Sequence, residues 1–164
     1  MWHVFWTSCG RLVPWMSEAL SYEEYLSRHG NLTYTNVGRS MLPLLRERRD
    51  LFTVAPKDGR CRVGDVVLYR RPPSSWVLHR VVEVLPDGYL ILGDNCVCRE
   101  RVAEDDVIGV MVGFVRDKRS HSVDERGYRA YVWALLAFER PRVFLKRAYL
   151  AARRRVSKAV RHVR

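Results

Sequence analysis

Ser40 is the residue of this chain best placed to act as a nucleophile. It lies in the segment Gly38-Arg39-Ser40-Met41-Leu42-Pro43, between strand-like runs at residues 32–37 and 51–54. A hydroxyl-bearing residue beside a glycine at the end of a strand can stand clear of its own backbone. The same pattern also describes ordinary turns between strands. The segment therefore predicts catalysis only if the chain supplies a general base.

His79 is the strongest candidate for that base. It is the one histidine of five that falls inside a predicted strand of the sheet, in Val77-Leu78-His79-Arg80-Val81. Strand alternation places its side chain on the same face as Val77 and Val81, toward the interior or a cleft. A histidine on an apolar face is more often a hydrogen-bonded core residue than a catalyst, so both interpretations stay open on this strand alone.

Strands are the elements that must position these two residues. Short runs rich in β-branched and aromatic residues alternate with turn residues from residue 32 to residue 115. Pro86-Asp87-Gly88 and Gly93-Asp94-Asn95 are two of the turns. Six or so short strands at this spacing predict an antiparallel, barrel-like sheet of mixed pairing.

Helices are predicted on both sides of the sheet. A short helix over residues 17–29 has a capping box at residues 21–24 and a glycine stop at Gly30. After the sheet, residues 116–125 are polar and predict a loop, and residues 126–138 predict a helix that Pro141 ends.

A second helix, over residues 142–163, completes the predicted architecture. It carries one apolar stripe surrounded by arginine and lysine: Leu145, Tyr149, Ala152, Val156, Ala159 and Val163. Such a helix can lie in a membrane interface, pack on its own domain or bind a partner. We therefore predict a mainly β fold with flanking helices, divided into an N-terminal segment (1–31), a β core (32–116) and a basic helical extension (117–164).

The net charge of +11 is confined to the end of the chain. Residues 126–164 hold 12 Lys and Arg and one acid, whereas residues 1–125 are balanced. A basic segment implies an acidic partner, so an anionic membrane surface is a candidate partner for residues 142–164. Nucleic acid is not expected, because no solvent-facing aromatic platform is identifiable on the sheet.

The composition also limits the other classes of function. The four cysteines lack the spacing of a zinc site or a disulfide framework, so neither a metal nor a cofactor is expected. No uncharged apolar run is long enough for a membrane-spanning helix, and the apolar N-terminus lacks a basic region ahead of it. If Met1 is the true start, the chain is expected in the cytoplasm or peripherally at a membrane.

Four short motifs in order resemble the type I signal peptidases and their relatives, the self-cleaving repressors. These motifs are Ser40-Met41-x-Pro43, Gly64-Asp65-Val66-Val67, His79-Arg80-Val81 and Gly93-Asp94-Asn95. The bacterial type has Lys before Arg-Val, whereas the endoplasmic-reticulum and archaeal type has His, as here. The resemblance covers about half of the chain. It implies a β-rich serine peptidase fold and a Ser40–His79 pair that needs no cofactor.

The resemblance also implies further site residues. In the His-type members an acid after Gly-Asp-Asn orients the histidine; Glu100 aligns with it, and Asp94 is the other candidate. A serine two positions before the nucleophile is replaced by Gly38, so backbone N–H groups, including that of Ser40, are the expected oxyanion donors. Residues near Ser40 would line shallow pockets for small residues of the substrate, and the candidates are Gly38, Arg39 and Met41.

Two further departures from the family concern its first turn and its anchor. Arg49 precedes Asp50 where a glycine is usual, and the hydrophobic anchor of most signal peptidases is not found. The predicted function is a serine endopeptidase that cleaves a peptide or precursor protein in the manner of signal peptidase. The alternative is a peptidase-like module with little or no activity, which binds a peptide and docks to an anionic membrane or nucleic acid through its basic tail.

Overall fold

A computed structural model describes residues 21–72 and 75–162 of the chain. It begins with helix α1, Tyr22–His29. The hydroxyl of Ser21 accepts a hydrogen bond from the N–H of Glu24, and Gly30 ends the helix in the left-handed conformation. The serine half of the predicted capping box and the glycine stop are therefore confirmed, while residues 17–20 of the predicted helix lie outside the described part.

Eight strands follow and form one sheet. They are β1 (Leu32–Thr35), β2 (Leu51–Pro56), β3 (Val66–Arg71), β4 (Ser75–Leu85), β5 (Gly88–Leu92), β6 (Glu100–Ala103), β7 (Val107–Arg116) and β8 (Arg119–Ser122). A 3-10 turn, Glu104–Asp106, separates β6 from β7. The prediction of a mainly β fold is confirmed.

The sheet is antiparallel throughout its described pairings. The strand order is β1-β2-β7-β3-β4-β5-β6, and β8 pairs with β7. The long strand β7 pairs with both β2 and β3. It therefore connects the β1–β2 pair to strands β3, β4, β5 and β6. The predicted antiparallel sheet is therefore confirmed, and the predicted mixed pairing is wrong: short turns, such as the one between β4 and β5, return the chain directly and favour antiparallel neighbours.

Two strands were missed in the sequence, for different reasons. Strand β6, Glu-Arg-Val-Ala, buries only Val102, so its alternation is too weak to recognise. Strand β8 lies in the predicted loop at residues 116–125 and is wholly polar. The turn before it places Asp117 and Lys118 at positive φ, the geometry of a tight hairpin that usually carries Asn-Gly. Because this turn has the sequence Asp117-Lys118 and not Asn-Gly, the sequence does not indicate a hairpin here.

The described part of the chain ends in two helices, α2 (Arg126–Ala137) and α3 (Glu139–His162). The break between them falls at Phe138, and Pro141 lies inside the first turn of α3. The predicted break at Pro141 is therefore wrong. Proline is tolerated in a first turn because the N–H groups there have no partner within the helix. None of the described helices is both long enough and apolar enough to cross a membrane.

The core joins the sheet to the loop that carries Ser40. Met41 and Leu45 of that loop are fully buried beside Leu26 of α1 and Val54 of β2. Burial of one such side chain contributes about 1.5–3 kcal/mol. The segment that follows Ser40 is thus held by core packing.

Candidate functional site

Ser40, His79 and Glu100 all line one cavity of about 400 Å³. The remaining wall is largely apolar and comes from β1, β2, β3 and β4: Leu32, Phe52, Leu68, Trp76, Val77 and Leu78. Three residues that lie far apart in the sequence are therefore brought to the same concave surface. We call this space the Ser40 cavity.

Ser40 is half-buried and its segment is tied to the Gly93-Asp94-Asn95 turn. The carbonyl of Ser40 accepts a hydrogen bond of 2.7 Å from the N–H of Asn95. The side-chain amide of Asn95 donates to the carbonyl of Arg39 at 2.9 Å. These two bonds place the serine against the turn that follows β5.

Gly93 provides the space in which the serine segment and the histidine meet. A Cβ atom at this position would lie 2.9 Å from His79 Nε2, 2.9 Å from the Ser40 carbonyl oxygen and 2.7 Å from Cys96 Sγ. The imidazole nitrogen and the serine backbone therefore border the same small gap. Only a residue without a side chain leaves that gap open.

Replacing Gly93 by alanine is expected to lower any His79-dependent turnover by about 100-fold, because the new methyl group displaces the imidazole by a fraction of an ångström or more. Gly127→Ala is the matched control, since a Cβ there meets nothing within 4 Å. The measurements are the initial rate and the NMR chemical shifts of the His79 ring. Unchanged shifts and rate in Gly93→Ala would contradict this geometry.

Asp94 forms a buried ion pair with Arg80. Arg80 Nε and Nη2 donate to the two carboxylate oxygens at 2.8 and 2.7 Å, and both side chains are fully buried. The hydroxyl of Tyr131 donates to Asp94 at 2.8 Å, and Arg80 also donates to the Gly64 carbonyl at 2.7 Å. The His-Arg, Gly-Asp and Gly-Asp-Asn motifs thus meet at this pair, which fixes the turn beside Ser40.

Glu100 is the carboxylate that lies next to the histidine. Its Oε1 is 3.7 Å from His79 Nδ1. The Tyr69 hydroxyl is 3.4 Å from the same nitrogen and donates to Glu100 Oε2 at 2.9 Å. Arg71 donates to both carboxylate oxygens of Glu100 at 2.5 Å and to the Tyr69 hydroxyl at 3.0 Å. Of the two acids left open by the sequence, Glu100 has the geometry to contact His79.

The surroundings of His79 favour its neutral form. The residue is 3% exposed. Burial lowers the pKa of His79 below its usual 6.5; the Glu100 carboxylate raises it, and the Arg71 guanidinium lowers it. A neutral imidazole at neutral pH can accept a proton through whichever ring nitrogen is unprotonated.

Gly38, Arg39 and Met41 do not contribute side chains to the wall of the Ser40 cavity described here. Gly38 has φ of 95°, a conformation that disfavours any residue with a side chain. Arg39 is exposed and takes part through its backbone carbonyl. Met41 is fully buried in the core.

Tyr69, Arg71 and Asn95 are contacts of the site that sequence reasoning missed. Val67 is the pairing partner of His79 in the β3–β4 hairpin. Tyr69 and Arg71 follow at intervals of two and therefore share the face of the histidine. Pairing the two predicted strands in this register would have found Tyr69 from the sequence. Arg71 was placed in a loop over residues 70–75, whereas β3 continues through it.

Cys96 is a second side chain with nucleophilic chemistry in the same cavity. Burial raises the pKa of its thiol, with the nearby Lys146 acting in the opposite direction. A raised pKa keeps the sulfur protonated at neutral pH, which makes it a poor nucleophile. The raised pKa of the thiol therefore makes Ser40 the better candidate of the two for a nucleophile at neutral pH.

Comparison with family models, with curated proteins and with solved structures found no match for this chain. No three His, Cys, Asp or Glu side chains within residues 21–72 and 75–162 are grouped in a way that could hold a metal ion.

Proposed function

We propose that this protein is a serine endopeptidase in which Ser40 is the nucleophile and His79 is the general base. One observation carries the proposal: Ser40 and His79 border the same gap at Gly93, while Glu100 lies behind the other nitrogen of the imidazole. A serine, a base and a group that orients the base are the components that acyl transfer needs.

In the proposed reaction, His79 Nε2 removes the proton of the Ser40 hydroxyl while Oγ attacks the carbonyl carbon of the scissile peptide bond. The resulting oxyanion is stabilised by backbone N–H groups, including that of Ser40. As the C–N bond breaks, the imidazolium returns its proton to the leaving amine. A water molecule, deprotonated by His79, then hydrolyses the acyl-enzyme and regenerates the Ser40 hydroxyl.

Glu100 is proposed to select the productive tautomer of His79. A carboxylate is only an acceptor, so its position beside Nδ1 favours the proton on that nitrogen and leaves Nε2 free to accept one from Ser40. Arg71 and Tyr69 hold the carboxylate in place. Glu100 is thus a positioning residue, which also stabilises the imidazolium that forms during the reaction.

The cavity favours an extended peptide with small or apolar side chains as the substrate. Its wall is largely apolar, and β1 contributes Leu32, Tyr34 and Thr35 to it. Within residues 21–72 and 75–162, β1 has one hydrogen-bonded strand neighbour, β2, and pairing of its other edge with a peptide is part of the proposal. A strand-like substrate would present alternate side chains to the cavity.

Processing of a precursor protein, in the manner of signal peptidase, is the activity that we propose within this class. The resemblance in the four motifs supports it, as does the way those motifs meet around Ser40 and the Arg80–Asp94 pair. The same resemblance supports a signal-peptidase-like β core.

Incubation with a diverse peptide library tests the proposal. New peptide termini are detected by mass spectrometry for the wild-type protein and for Ser40→Ala. Cleavage by the wild type that the variant lacks is the expected result. Peptide binding without any Ser40-dependent cleavage would instead favour the peptidase-like binding module.

Glu100→Gln is expected to lower kcat by about 100-fold and to move the acidic limb of the pH–rate profile to lower pH. The sign follows from charge: the carboxylate raises the pKa of His79, so its removal lowers that pKa further. Below its pKa the imidazole is protonated and cannot act as base. Glu47→Gln, at an exposed position in the Ser40 loop, is the control. A shift of the limb to higher pH would contradict the proposed role.

A further inference from the structure

Helix α3 uses one face to hold the turn beside Ser40. Arg142 donates to the carbonyl of Asp94 at 2.5 Å, and Lys146 donates to the backbone and side-chain oxygens of Asn95. Arg147 donates to the carbonyl of Val97 at 2.7 Å, and Glu139 pairs with Arg99 at 2.9 Å. This face of the helix is therefore polar and attached to the domain.

A second face of α3 presents large apolar side chains to solvent. Phe144 is 71% exposed, Leu145 67% and Tyr149 63%. Phe138, between the helices, and Trp133, on α2, are exposed to a similar degree. Single exposed apolar residues are ordinary, but three large ones within six residues of one helix are typical of an interaction surface. We call Phe144, Leu145 and Tyr149 the apolar face.

The apolar face includes the first part of the stripe predicted from the sequence. Leu145, Tyr149 and Ala152 are all exposed, so this part of the stripe does not pack on its own domain. The side chains of Val156, Ala159 and Val163 lie outside the described residues. Of the three roles that the sequence left open for the helix, membrane docking and partner binding remain for residues 144–152.

Positive charge surrounds the apolar face. Arg140 is exposed beside it, and Arg153, Arg154 and Arg155 are exposed one turn further along α3. The single acid of residues 126–164, Glu139, is neutralised by its pairing with Arg99. Bulky apolar side chains bordered by arginine are the composition of helices that lie in a lipid interface.

We propose that the apolar face docks onto a bilayer that contains anionic lipid. The acyl region would accept Leu145, Tyr149 and Phe144, while phosphate groups would pair with the flanking arginines. A second copy of this chain would instead bring two arginine-rich helices together, and the like charges would repel. Nucleic acid would neutralise the arginines but leave the aliphatic part of the face exposed to water.

Docking of this kind would place the helix that holds the Ser40 turn on the bilayer. Lys146 follows Leu145 directly and binds Asn95, which in turn holds the Ser40 carbonyl. The helix that enters the interface is therefore also the helix that fixes the active-site turn. The docking itself does not depend on the proposed peptidase function, and Ser40→Ala should bind vesicles as the wild type does.

Co-sedimentation of the full chain with lipid vesicles tests the proposal. We expect the wild type to bind phosphatidylcholine–phosphatidylserine vesicles and to bind pure phosphatidylcholine vesicles far less. The double variant Leu145→Ser/Tyr149→Ser should partition about tenfold less. Val63→Ser/Val112→Ser is the matched control, because it removes two exposed apolar side chains elsewhere on the molecule and should leave binding unchanged.

A second variant keeps the test independent of the apolar substitutions. Arg153→Gln/Arg154→Gln/Arg155→Gln should lower binding to the anionic vesicles. Salt at about 0.5 M should also lower binding of the wild type, because it screens the attraction between arginine and lipid phosphate. Equal vesicle binding by Leu145→Ser/Tyr149→Ser and the wild type would overturn the proposal. Two other results would also overturn it. One is a dimer of the wild type that Leu145→Ser/Tyr149→Ser abolishes, and the other is binding of RNA, but not of vesicles, that the same double variant abolishes.

Discussion

Replacing Ser40 by alanine is expected to lower the rate of peptide cleavage by roughly 10⁴-fold or more, which is the scale on which removal of a nucleophile acts in serine peptidases. The variant retains the oxyanion donors and the cavity, so substrate binding should persist. The hydroxyl contributes little to folding because the segment is held by Met41, by Leu45 and by two backbone hydrogen bonds that alanine keeps. Rates are measured on the peptide that the library identifies as best cleaved.

Two controls make the Ser40 result specific. Ser120→Ala removes an exposed hydroxyl from β8 and should retain the wild-type rate. Alkylation by iodoacetamide addresses Cys96, which lines the same cavity. If Ser40→Ala stays active and alkylation of Cys96 abolishes that activity, the thiol is the nucleophile and the proposed assignment is wrong.

Replacing Arg80 by methionine is expected to lower the free energy of unfolding by about 3–5 kcal/mol, because it leaves the Asp94 carboxylate buried without its partner. Burial disfavours the charge of Arg80, but hydrogen bonding to Asp94 outweighs that cost and raises the pKa of the guanidinium. The measurement is the midpoint and slope of urea unfolding, followed by circular dichroism.

A matched surface pair and a double variant complete the test. Arg101 and Asp87 form an ion pair with both side chains about two-thirds exposed, so Arg101→Met should leave stability essentially unchanged. Arg80→Met/Asp94→Leu removes both buried charges and should recover much of the loss. A double variant that is no more stable than Arg80→Met would show that the pair does more than neutralise its own charges. Because the pair fixes the turn beside Ser40, cleavage should remain impaired in the double variant even where stability returns.

The sequence was enough to name the candidate residues of the site, but not to predict which of them contact one another. Ser40 and His79 are recognisable because each lies in a short local pattern: a glycine-containing strand exit, and a histidine in an alternating strand. The choice between Asp94 and Glu100 depends on a contact that crosses strands. Only the folded sheet shows that Arg80 pairs with Asp94, while Glu100 lies 3.7 Å from Nδ1 of His79.

The same division holds for the fold. Strong alternation and clear caps predicted the long strands, helix α1 and both C-terminal helices. Strands β6 and β8 were missed because their pairing, rather than their own apolar content, makes them strands. Pro141 was read as a break because the sequence does not reveal that the helix begins two residues before it.

Local sequence therefore determined which groups could react and which segments were helix or strand, since caps, turns and alternation act over a few residues. Tertiary structure decided which groups meet. The β3–β4 register brings Tyr69 and Arg71 beside His79, and the absence of a side chain at Gly93 allows the histidine to approach the serine backbone. It also decided that Leu145 and Tyr149 face solvent, because a stripe on a helix does not specify what covers it until the helix is packed.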